Sequence, residues 1–315
     1  MNNALPIIEH AADAASADTA TQSGDAPIAA ARVCFLLSIL PRSGTNYVYN
    51  LLAKHPHCLT PGPIWEDSFV RHSDLLMQYV QAVTRRWTPD WQTREKVGPP
   101  ETLLPYFGEA IKQILQLQVT QNAEIQAELR QQSAAQRRAN VLITKTPHTE
   151  SIENFFELLP TDHLLVIVRD GRAVIESGMR SFGWNYEKST RRWAQNAAAL
   201  LNLQRTCAGS DKKLLIVKYE DFLTDQTAML RKVFDFLNLD ATWYDYDEVR
   251  NFRVIGSSDT KQDGEVHWEA VDRYDSFDPL NRFGHWTLEQ HRLFNRLAGR
   301  YLTELGYALV ETGED

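Results

Sequence analysis

The feature that most constrains the fold is a largely apolar run from Arg32 to Leu40 that ends abruptly at Pro41. A run of this length, bounded by a breaker residue, is typical of a strand that is buried on both faces. The turn Arg42–Thr45 follows the strand, and a helical pattern then begins. The apolar face of that helix carries Tyr47, Val48, Leu51 and Leu52. A strand, a glycine-containing turn and a helix in this order form the first half of a nucleotide-binding unit.

Compact strand signals recur further along the chain, and each one precedes a segment with a helical pattern. The strand signals are Val141–Thr144, His163–Val168 and Leu214–Val217, and the helical segments are Glu150–Leu158, Arg172–Met179 and Thr224–Leu237. This alternation predicts a parallel sheet with right-handed crossovers. The expected fold class is therefore α/β, a P-loop-like parallel sheet flanked by helices on both faces.

The remaining segments predict one domain and one tail. Residues Gln113–Asn140 favour a long exposed helix or helical pair, Ser257–His285 a covering loop, and Thr287–Leu305 a final amphipathic helix. There is no repeat and no credible interdomain linker. We expect a disordered tail over residues 1–30 and a single domain over 31–315.

Composition narrows the class of ligand and compartment. The net charge of -8 and the pI near 5.6 exclude a general nucleic-acid footprint, so an anionic ligand needs a local cationic pocket. The three cysteines, Cys34, Cys58 and Cys207, show neither a disulfide framework nor a metal-ligand spacing. The first 30 residues lack the pattern of a signal peptide, and no apolar stretch is long enough to span a bilayer. We expect a cytoplasmic protein.

The turn after the first strand has the features of an anion site. Backbone N–H groups at a helix N-terminus favour an anion, Gly44 allows close approach, and Arg42 supplies charge. Aligned with the ATP/GTP loop G-x-x-x-x-G-K-[ST], the first glycine becomes Ile39, the lysine Thr45 and the magnesium ligand Asn46. The turn could therefore bind a phosphate, but it lacks the first glycine, the lysine and the magnesium ligand that ATP and GTP hydrolases use for γ-phosphate transfer. Taken alone, it also fits a plain turn that ends a strand.

A second candidate anion site follows the strand His163–Val168. Arg169 stands at the end of this strand, and Ser177 follows eight residues later on the next predicted helix. The arginine can donate two hydrogen bonds to one phosphate, and the serine hydroxyl can donate a further one. By themselves, these residues equally fit a surface ion pair between Arg169 and Asp170 and a serine on a helix surface.

Together, the ordered motifs resemble the sulfotransferase superfamily, in particular bacterial members similar to its carbohydrate and protein-tyrosine branches. The family's 5'-phosphosulfate loop resembles Pro41–Thr45, and its 3'-phosphate motif resembles Arg169 with Ser177. The segment Val217–Phe222 resembles the family's third strand and its exit, and Arg282–Tyr307 resembles the ending of many bacterial members.

The resemblance implies a donor, 3'-phosphoadenosine 5'-phosphosulfate, which leaves as adenosine 3',5'-bisphosphate. Cations at the leaving group make a metal unnecessary for this chemistry, and the sequence shows no metal-ligand cluster, so we expect no metal. The resemblance assigns the 5'-phosphosulfate to Arg42, Ser43, Gly44, Thr45 and Asn46. It assigns the 3'-phosphate to Arg169 and Ser177, with Arg253, Gly256, Ser257 and Ser258 completing that end. The family's clearer Arg-Lys-Gly pattern is absent from this last segment. Tyr219 either borders the adenine or packs in the core.

Sulfuryl transfer requires a base for the acceptor hydroxyl and cations at the leaving group. By resemblance, Glu66 is the leading base and Lys145 the leaving-group cation, and Arg42 joins them in the catalytic set. Plain alternatives are that Glu66 and Asp67 are acids at a helix N-terminus and that Lys145 is a loop lysine.

Cytosolic members carry Lys-Thr-His at Lys145-Thr146-Pro147, but in this chain Pro147 occupies the histidine position. His148, displaced by one residue, remains a candidate for proton shuttling or a solvent-facing loop residue.

The acceptor is the least constrained part of the prediction. Aromatic residues that could stack on a sugar or phenol ring are Trp65, Trp87, Trp91, Phe107, Trp184 and Tyr186. We expect a hydroxylated small molecule, a glycan or a tyrosyl group, with no nucleic-acid partner. The cytosolic family's Lys-Thr-Val dimer motif is missing, so the oligomeric state is open. Two rivals remain, a P-loop small-molecule kinase using ATP and Mg²⁺, and a non-catalytic anion-binding or nucleotide-binding module.

Overall fold

The computed structural model describes residues 32–62, 64–96, 98–123, 125, 127, 131–133, 140–250, 252–255, 261–262, 265–266, 270–271, 279–280 and 282–313. Gly256, Ser257 and Ser258, assigned above to the 3' end of the donor, lie outside these residues.

A five-stranded parallel sheet forms the centre of the protein, in the order β2-β3-β1-β4-β5. The strands are β1 Arg32–Ser38, β2 Cys58–Leu59, β3 Val141–Thr146, β4 His163–Val168 and β5 Leu214–Lys218. The predicted α/β class and parallel sheet are confirmed. The strand β1 ends two residues earlier than predicted, because Ile39 and Leu40 lie in a bend. The strand β3 runs two residues further, so Lys145 is a strand residue and not a loop lysine.

Twelve α-helical segments surround the sheet in the described part of the chain. They are α1 Thr45–Leu52, α2 Ser73–Val83, α3 Pro89–Glu95, α4 Leu103–Thr120, α5 Phe155–Leu158, α6 Gly171–Phe182, α7 Tyr186–Cys207, α8 Tyr219–Thr224, α9 Gln226–Phe236, α10 Tyr246–Val249, α11 Leu288–Phe294 and α12 Arg300–Glu304. A π-helical turn, Asn295–Gly299, joins α11 to α12, so the predicted final helix is confirmed as one continuous segment. None of the helices in the described ranges is long and apolar enough to cross a membrane.

Helices cover both faces of the sheet, because successive side chains of a strand point to opposite faces. In β1, Val33, Phe35 and Leu37 pack into one core with α4, α5 and α7. Cys34 and Leu36 pack on the other face with α1 and α9. This arrangement explains why β1 is apolar throughout and buried from Val33 to Ser38.

Two segments contain features that the sequence did not predict. The predicted helix or helical pair Gln113–Asn140 overlaps α4, which begins at Leu103, ends at Thr120 and buries Leu115 and Val119. Residues 123, 125, 127 and 131 are helical as well, and most of the others between 124 and 139 lie outside the described residues. The buried stripe of α4 starts at Leu104, nine residues before the predicted segment, and a Cβ at Gly108 would lie 1.8 Å from the carbonyl oxygen of Leu158. The expected covering loop contains short strands: Lys261–Gln262 pairs with Glu265–Val266, and Val254–Ile255 pairs with Ala270–Val271.

The strand order brings three cationic side chains to one edge of the sheet. Lys145 lies near the carboxyl end of β3, Arg42 follows β1, and Arg169 follows β4. Because β1 lies between β3 and β4, the three carboxyl ends are neighbours. Open parallel sheets bind ligands at this edge.

Candidate functional site

The turn between β1 and α1 has an unusual backbone shape. Arg42 and Gly44 adopt positive φ angles of 77° and 89°. The hydroxyl of buried Ser43 donates a hydrogen bond to the carbonyl oxygen of Leu40 at 2.7 Å, which fixes the turn. Gly44 is the N-cap of α1, and no side chain of the described residues caps the helix. The first N–H groups of α1, including those of Thr45 and Asn46, are therefore available to an anion.

Tyr219 packs directly against this turn. A Cβ placed on Gly44 would lie 2.2 Å from Cδ2 of Tyr219, so both the backbone conformation and the available space require glycine. Tyr219 begins α8 at the carboxyl end of β5 and is buried. It therefore lies beside the turn after β1 and packs in the core, which is one of its two predicted roles; that it borders the adenine stays a prediction.

Arg169 makes contact with the same turn from β4. Its side chain is buried, and Nη1 donates a hydrogen bond to the carbonyl oxygen of Arg42 at 2.8 Å. Nη2 donates to the carbonyl oxygen of Pro279 at 2.5 Å, and the guanidinium lies 4.7 Å from the ring centroid of Tyr219. Arg169 is thus not a surface residue paired with Asp170, which instead binds Arg172.

The two predicted anion motifs meet at Ser177. This buried serine lies on α6, and its Oγ accepts a hydrogen bond from Nε of Arg42 at 3.1 Å. The plain alternative, a serine on a helix surface, is therefore wrong. The structure brings Arg42, Arg169, Ser177 and Tyr219 into one cluster around Gly44.

Phe252, the residue before Arg253, is linked to this cluster through aromatic contacts. The ring of Phe252 packs against Tyr47 of α1 at 6.3 Å between centroids, and Tyr47 packs against Tyr219 at 6.0 Å. Arg253 itself is exposed. Its position beside α1 is compatible with the expectation that it completes the anion site.

Glu66 and Lys145 lie together although 79 residues separate them in the sequence. The Nζ of Lys145 is 3.5 Å from Oε1 of Glu66; the lysine side chain is fully buried and that of Glu66 is 45% exposed. Burial lowers the pKa of Lys145, while the carboxylate of Glu66 opposes this effect. Glu66 is not at a helix N-terminus, so that plain alternative is wrong.

Asp67 was not singled out as a functional residue, yet it is bound tightly to β3. Its Oδ2 accepts a hydrogen bond from Oγ1 of Thr144 at 2.5 Å, and its backbone N–H donates to the carbonyl oxygen of Lys145 at 3.1 Å. Burial raises the pKa of Asp67, against the lowering effect of the bond from Thr144. The sequence Glu66-Asp67 does not indicate which carboxylate lies beside Lys145 and which one binds Thr144.

His148 occupies a different environment from Glu66 and Lys145. It is buried, and its Nδ1 lies 4.0 Å from Oε1 of Glu150, which also binds Arg71 and Arg192. Burial, together with the charge of Arg71, lowers the pKa of His148 to about 4. Within the described part of the chain, no hydrogen bond joins His148 to Glu66 or Lys145. The histidine is not the solvent-facing loop residue that the sequence allowed.

A polar groove lies at the start of α7. Every residue that lines it is polar or charged, among them Glu150, Lys188, Gln195 and Asn196. The side-chain amide of Asn196 donates to the carbonyl oxygen of Ile39 at 2.8 Å, so one lining residue of the groove contacts the segment just after β1. Sequence analysis missed this groove, because its residues come from two distant segments and form no motif.

Comparisons with known proteins identify the family of this chain. A model of the sulfotransferase family matches residues 37–245, well over half of the chain. Similar solved structures include the sulfotransferase domain from the curacin biosynthetic pathway (18% identity, TM-score 0.45, 89% of this chain and 99% of that domain). Another is sulfotransferase STF9 from Mycobacterium avium (14% identity, TM-score 0.44, 90% of this chain and 79% of that chain). A third is a sulfotransferase from Alicyclobacillus acidocaldarius (12% identity, TM-score 0.43, 89% and 98%).

A search of curated protein sequences finds no match. The family model alone spans both the phosphate turn and the segment that carries Arg169 and Ser177. The chain therefore belongs to the sulfotransferase family and is an enzyme of sulfuryl transfer.

Proposed function

We propose that this protein transfers the sulfuryl group of 3'-phosphoadenosine 5'-phosphosulfate to a hydroxyl of a saccharide acceptor. The observation that carries the proposal is the contact of Arg42 with both Ser177 and Arg169. This contact supports the proposal that the turn after β1 and the second anion motif belong to one site. One nucleotide with anionic groups at both ends fits such a site better than two separate anions do.

The residues present suit this donor. Arg42, the N–H groups at the start of α1 and Lys145 would hold the phosphosulfate end, and Arg169 with Ser177 would hold the 3'-phosphate. The Nε of Arg169 is buried and has no hydrogen-bond partner in the part of the chain that the structure describes. A buried donor without a partner is costly, and a phosphate oxygen would satisfy it. The side chains of Arg42, Lys145 and Arg169 also provide a local attraction for the anionic donor, which the net charge of -8 would otherwise repel.

In the proposed mechanism, Glu66 takes the proton of the acceptor hydroxyl as its oxygen attacks the sulfur. The bond between sulfur and the bridging oxygen breaks in line with this attack, and the electron pair stays on the phosphate. Lys145 and Arg42 neutralise the charge that develops on that oxygen. Glu66 suits the role of base because its carboxylate is exposed to an incoming acceptor while it touches buried Lys145.

His148 is a weaker candidate for the base. Its pKa near 4 makes it a poor proton acceptor at neutral pH, and its nearest carboxylate is Glu150 rather than Glu66. We assign it no step in the transfer.

For the acceptor, the polar groove favours a saccharide over a phenol or tyrosyl group. A saccharide presents several hydroxyls, which could pair with the amide of Gln195 and with the ammonium of Lys188. A flat aromatic acceptor would displace water from these two groups without replacing its hydrogen bonds, which is unfavourable on binding. The bond between Asn196 and Ile39 links this groove to the segment that leads into the turn Arg42–Thr45.

The test is transfer of radiolabelled sulfuryl from the donor to panels of saccharides, simple phenols and tyrosyl peptides, without added metal. We expect labelled saccharide and little labelled phenol. Labelling of phenols or tyrosyl peptides alone would move the acceptor to those classes. Donor binding without transfer to any panel would favour the non-catalytic module.

A further inference from the structure

The catalytic pair of the proposed function depends on a segment without regular secondary structure. Residues 65–68 form neither helix nor strand, and the side chain of Glu66 is 45% exposed. An exposed glutamate in such a segment normally samples many rotamers. Something else must hold its carboxylate beside Lys145.

The segment is fastened to the end of β3 by backbone hydrogen bonds. The N–H of Asp67 donates to the carbonyl oxygen of Lys145 at 3.1 Å. The N–H of Ser68 donates to Oγ1 of Thr146 at 2.9 Å. These bonds place residues 66–68 alongside the last residues of β3.

The side chain of Asp67 completes this attachment. Its Oδ2 accepts a hydrogen bond from Oγ1 of Thr144, and its Oδ1 accepts one from the N–H of Phe69. Thr144 is fully buried, so its hydroxyl has a fixed position. Asp67 follows Glu66 directly in the chain, and both its backbone N–H and its side chain are held by β3. Fixing Asp67 at these two points therefore restricts where the side chain of Glu66 can lie, and it lies 3.5 Å from Lys145.

We propose that Asp67, held by Thr144, is a positioning residue that sets the carboxylate of Glu66 against Lys145. The importance of that pair for turnover rests on the proposed function. The attachment itself is a separate structural claim, and the two can be tested separately.

The test compares Thr144→Val, which keeps the shape and removes the hydroxyl, with Thr144→Ser, which keeps the hydroxyl. We expect Thr144→Val to lower kcat roughly 10- to 100-fold, because small displacements of catalytic groups have effects of this order. Affinity for adenosine 3',5'-bisphosphate should change less than about 2-fold, a mutational scatter typical of residues away from the ligand. Thr144→Ser should recover most of the lost kcat.

A double-mutant cycle distinguishes positioning from general damage. In the Glu66→Gln background, Thr144→Val should have little further effect on kcat, because both changes remove the same function. If the fold-losses in kcat from Thr144→Val and Glu66→Gln multiply in the double variant, the proposal is overturned. The matched control is Asp162→Asn, which alters another buried carboxyl, one that pairs with Lys112 just before β4 at the opposite edge of the sheet. It should leave kcat unchanged.

Hydrogen exchange provides a readout that needs no acceptor. The amides of Asp67 and Ser68 should exchange faster in Thr144→Val than in Thr144→Ser or in the wild type. Unchanged exchange in Thr144→Val would overturn the proposal even if kcat fell. If the wild type does not bind adenosine 3',5'-bisphosphate, the proposed function fails, and the exchange comparison still decides whether Asp67 fastens the segment.

Discussion

The Nε of Arg42 donates a hydrogen bond to Oγ of Ser177 at 3.1 Å, across 135 residues of sequence. This bond joins the turn after β1 to α6, so the two motifs that the sequence assigned to opposite ends of one donor are in contact. The carbonyl oxygen of the same Arg42 accepts a hydrogen bond from Arg169. The backbone and the side chain of Arg42 therefore both belong to the candidate donor site.

Arg169→Ala should weaken binding of adenosine 3',5'-bisphosphate roughly 10- to 100-fold, because a hydrogen bond to a charged group contributes about 1.5–3 kcal/mol. Adenosine 5'-phosphosulfate, which lacks the 3'-phosphate, should lose much less affinity. Calorimetric titration of both ligands measures the difference. Arg180→Ala, which removes an exposed cation of α6 paired with Glu176, is the matched control. Equal losses for both ligands would contradict the assignment of Arg169 to the 3'-phosphate.

Glu66→Gln should abolish most turnover while donor affinity is kept, since loss of a general base typically costs 10²–10⁴-fold (order of magnitude). His148→Asn should retain most of the activity, because His148 is assigned no step. Single-turnover transfer of labelled sulfuryl measures both variants. Glu248→Gln, in a surface pair with Lys54, controls for the loss of one carboxylate. If His148→Asn is inactive and Glu66→Gln is active, the base is His148.

Gly44→Ala should destabilise the protein and remove donor binding. The substitution meets a backbone φ of 89° and the ring of Tyr219 at 2.2 Å. Gly183→Ala is the matched control, because Gly183 has a φ of 63° but open space around it. We expect the control to cost about 1 kcal/mol from backbone strain alone and Gly44→Ala to cost clearly more. Denaturant unfolding and donor titration give both quantities; equal costs with binding retained would mean that the contact with Tyr219 is unimportant.

The free energy of unfolding should fall as the pH is lowered from about 6.5 to about 4. Burial lowers the pKa values of His148 and His163 to about 4 in the folded protein, below their ordinary value of 6.5. Between these values the unfolded chain binds more protons than the folded one, so stability rises with pH. Each histidine contributes at most about 3 kcal/mol, which is present above pH 6.5 and lost by pH 4.

Urea unfolding at pH 7.5 and at pH 5 measures this loss. The double variant His148→Gln with His163→Gln should show a smaller dependence on pH. An equal dependence in the wild type and the double variant would show that neither histidine is responsible.

Much of the fold was predictable because the strand signals are strong and local. The strand β4, His163–Val168, was predicted with its observed bounds, since all six residues are buried and apolar or β-forming. The two-residue strand β2 is too short for any pattern to indicate. The start of α4 at Leu103 was not predicted, because the Gln-rich and Ala-rich sequence that favours a helix begins later than the core contact, where Gly108 packs against Leu158.

The site was predictable where a motif is contiguous and less so where it depends on tertiary contacts. The turn Pro41–Asn46 is one segment, so its backbone role could be inferred from sequence. The roles of Asp67 and Asn196 depend on partners far along the chain, Thr144 and Ile39. No local spacing indicates such pairs.

The central claim is that one nucleotide with both a 3'-phosphate and a 5'-phosphate occupies the cluster around Arg42, Arg169 and Ser177. The most direct measurement is calorimetric titration of the wild type with adenosine 3',5'-bisphosphate and with ATP, each with and without Mg²⁺. We expect tight binding of the bisphosphate that does not depend on Mg²⁺, and much weaker binding of ATP. Preference for ATP with Mg²⁺ would contradict the account and favour a kinase.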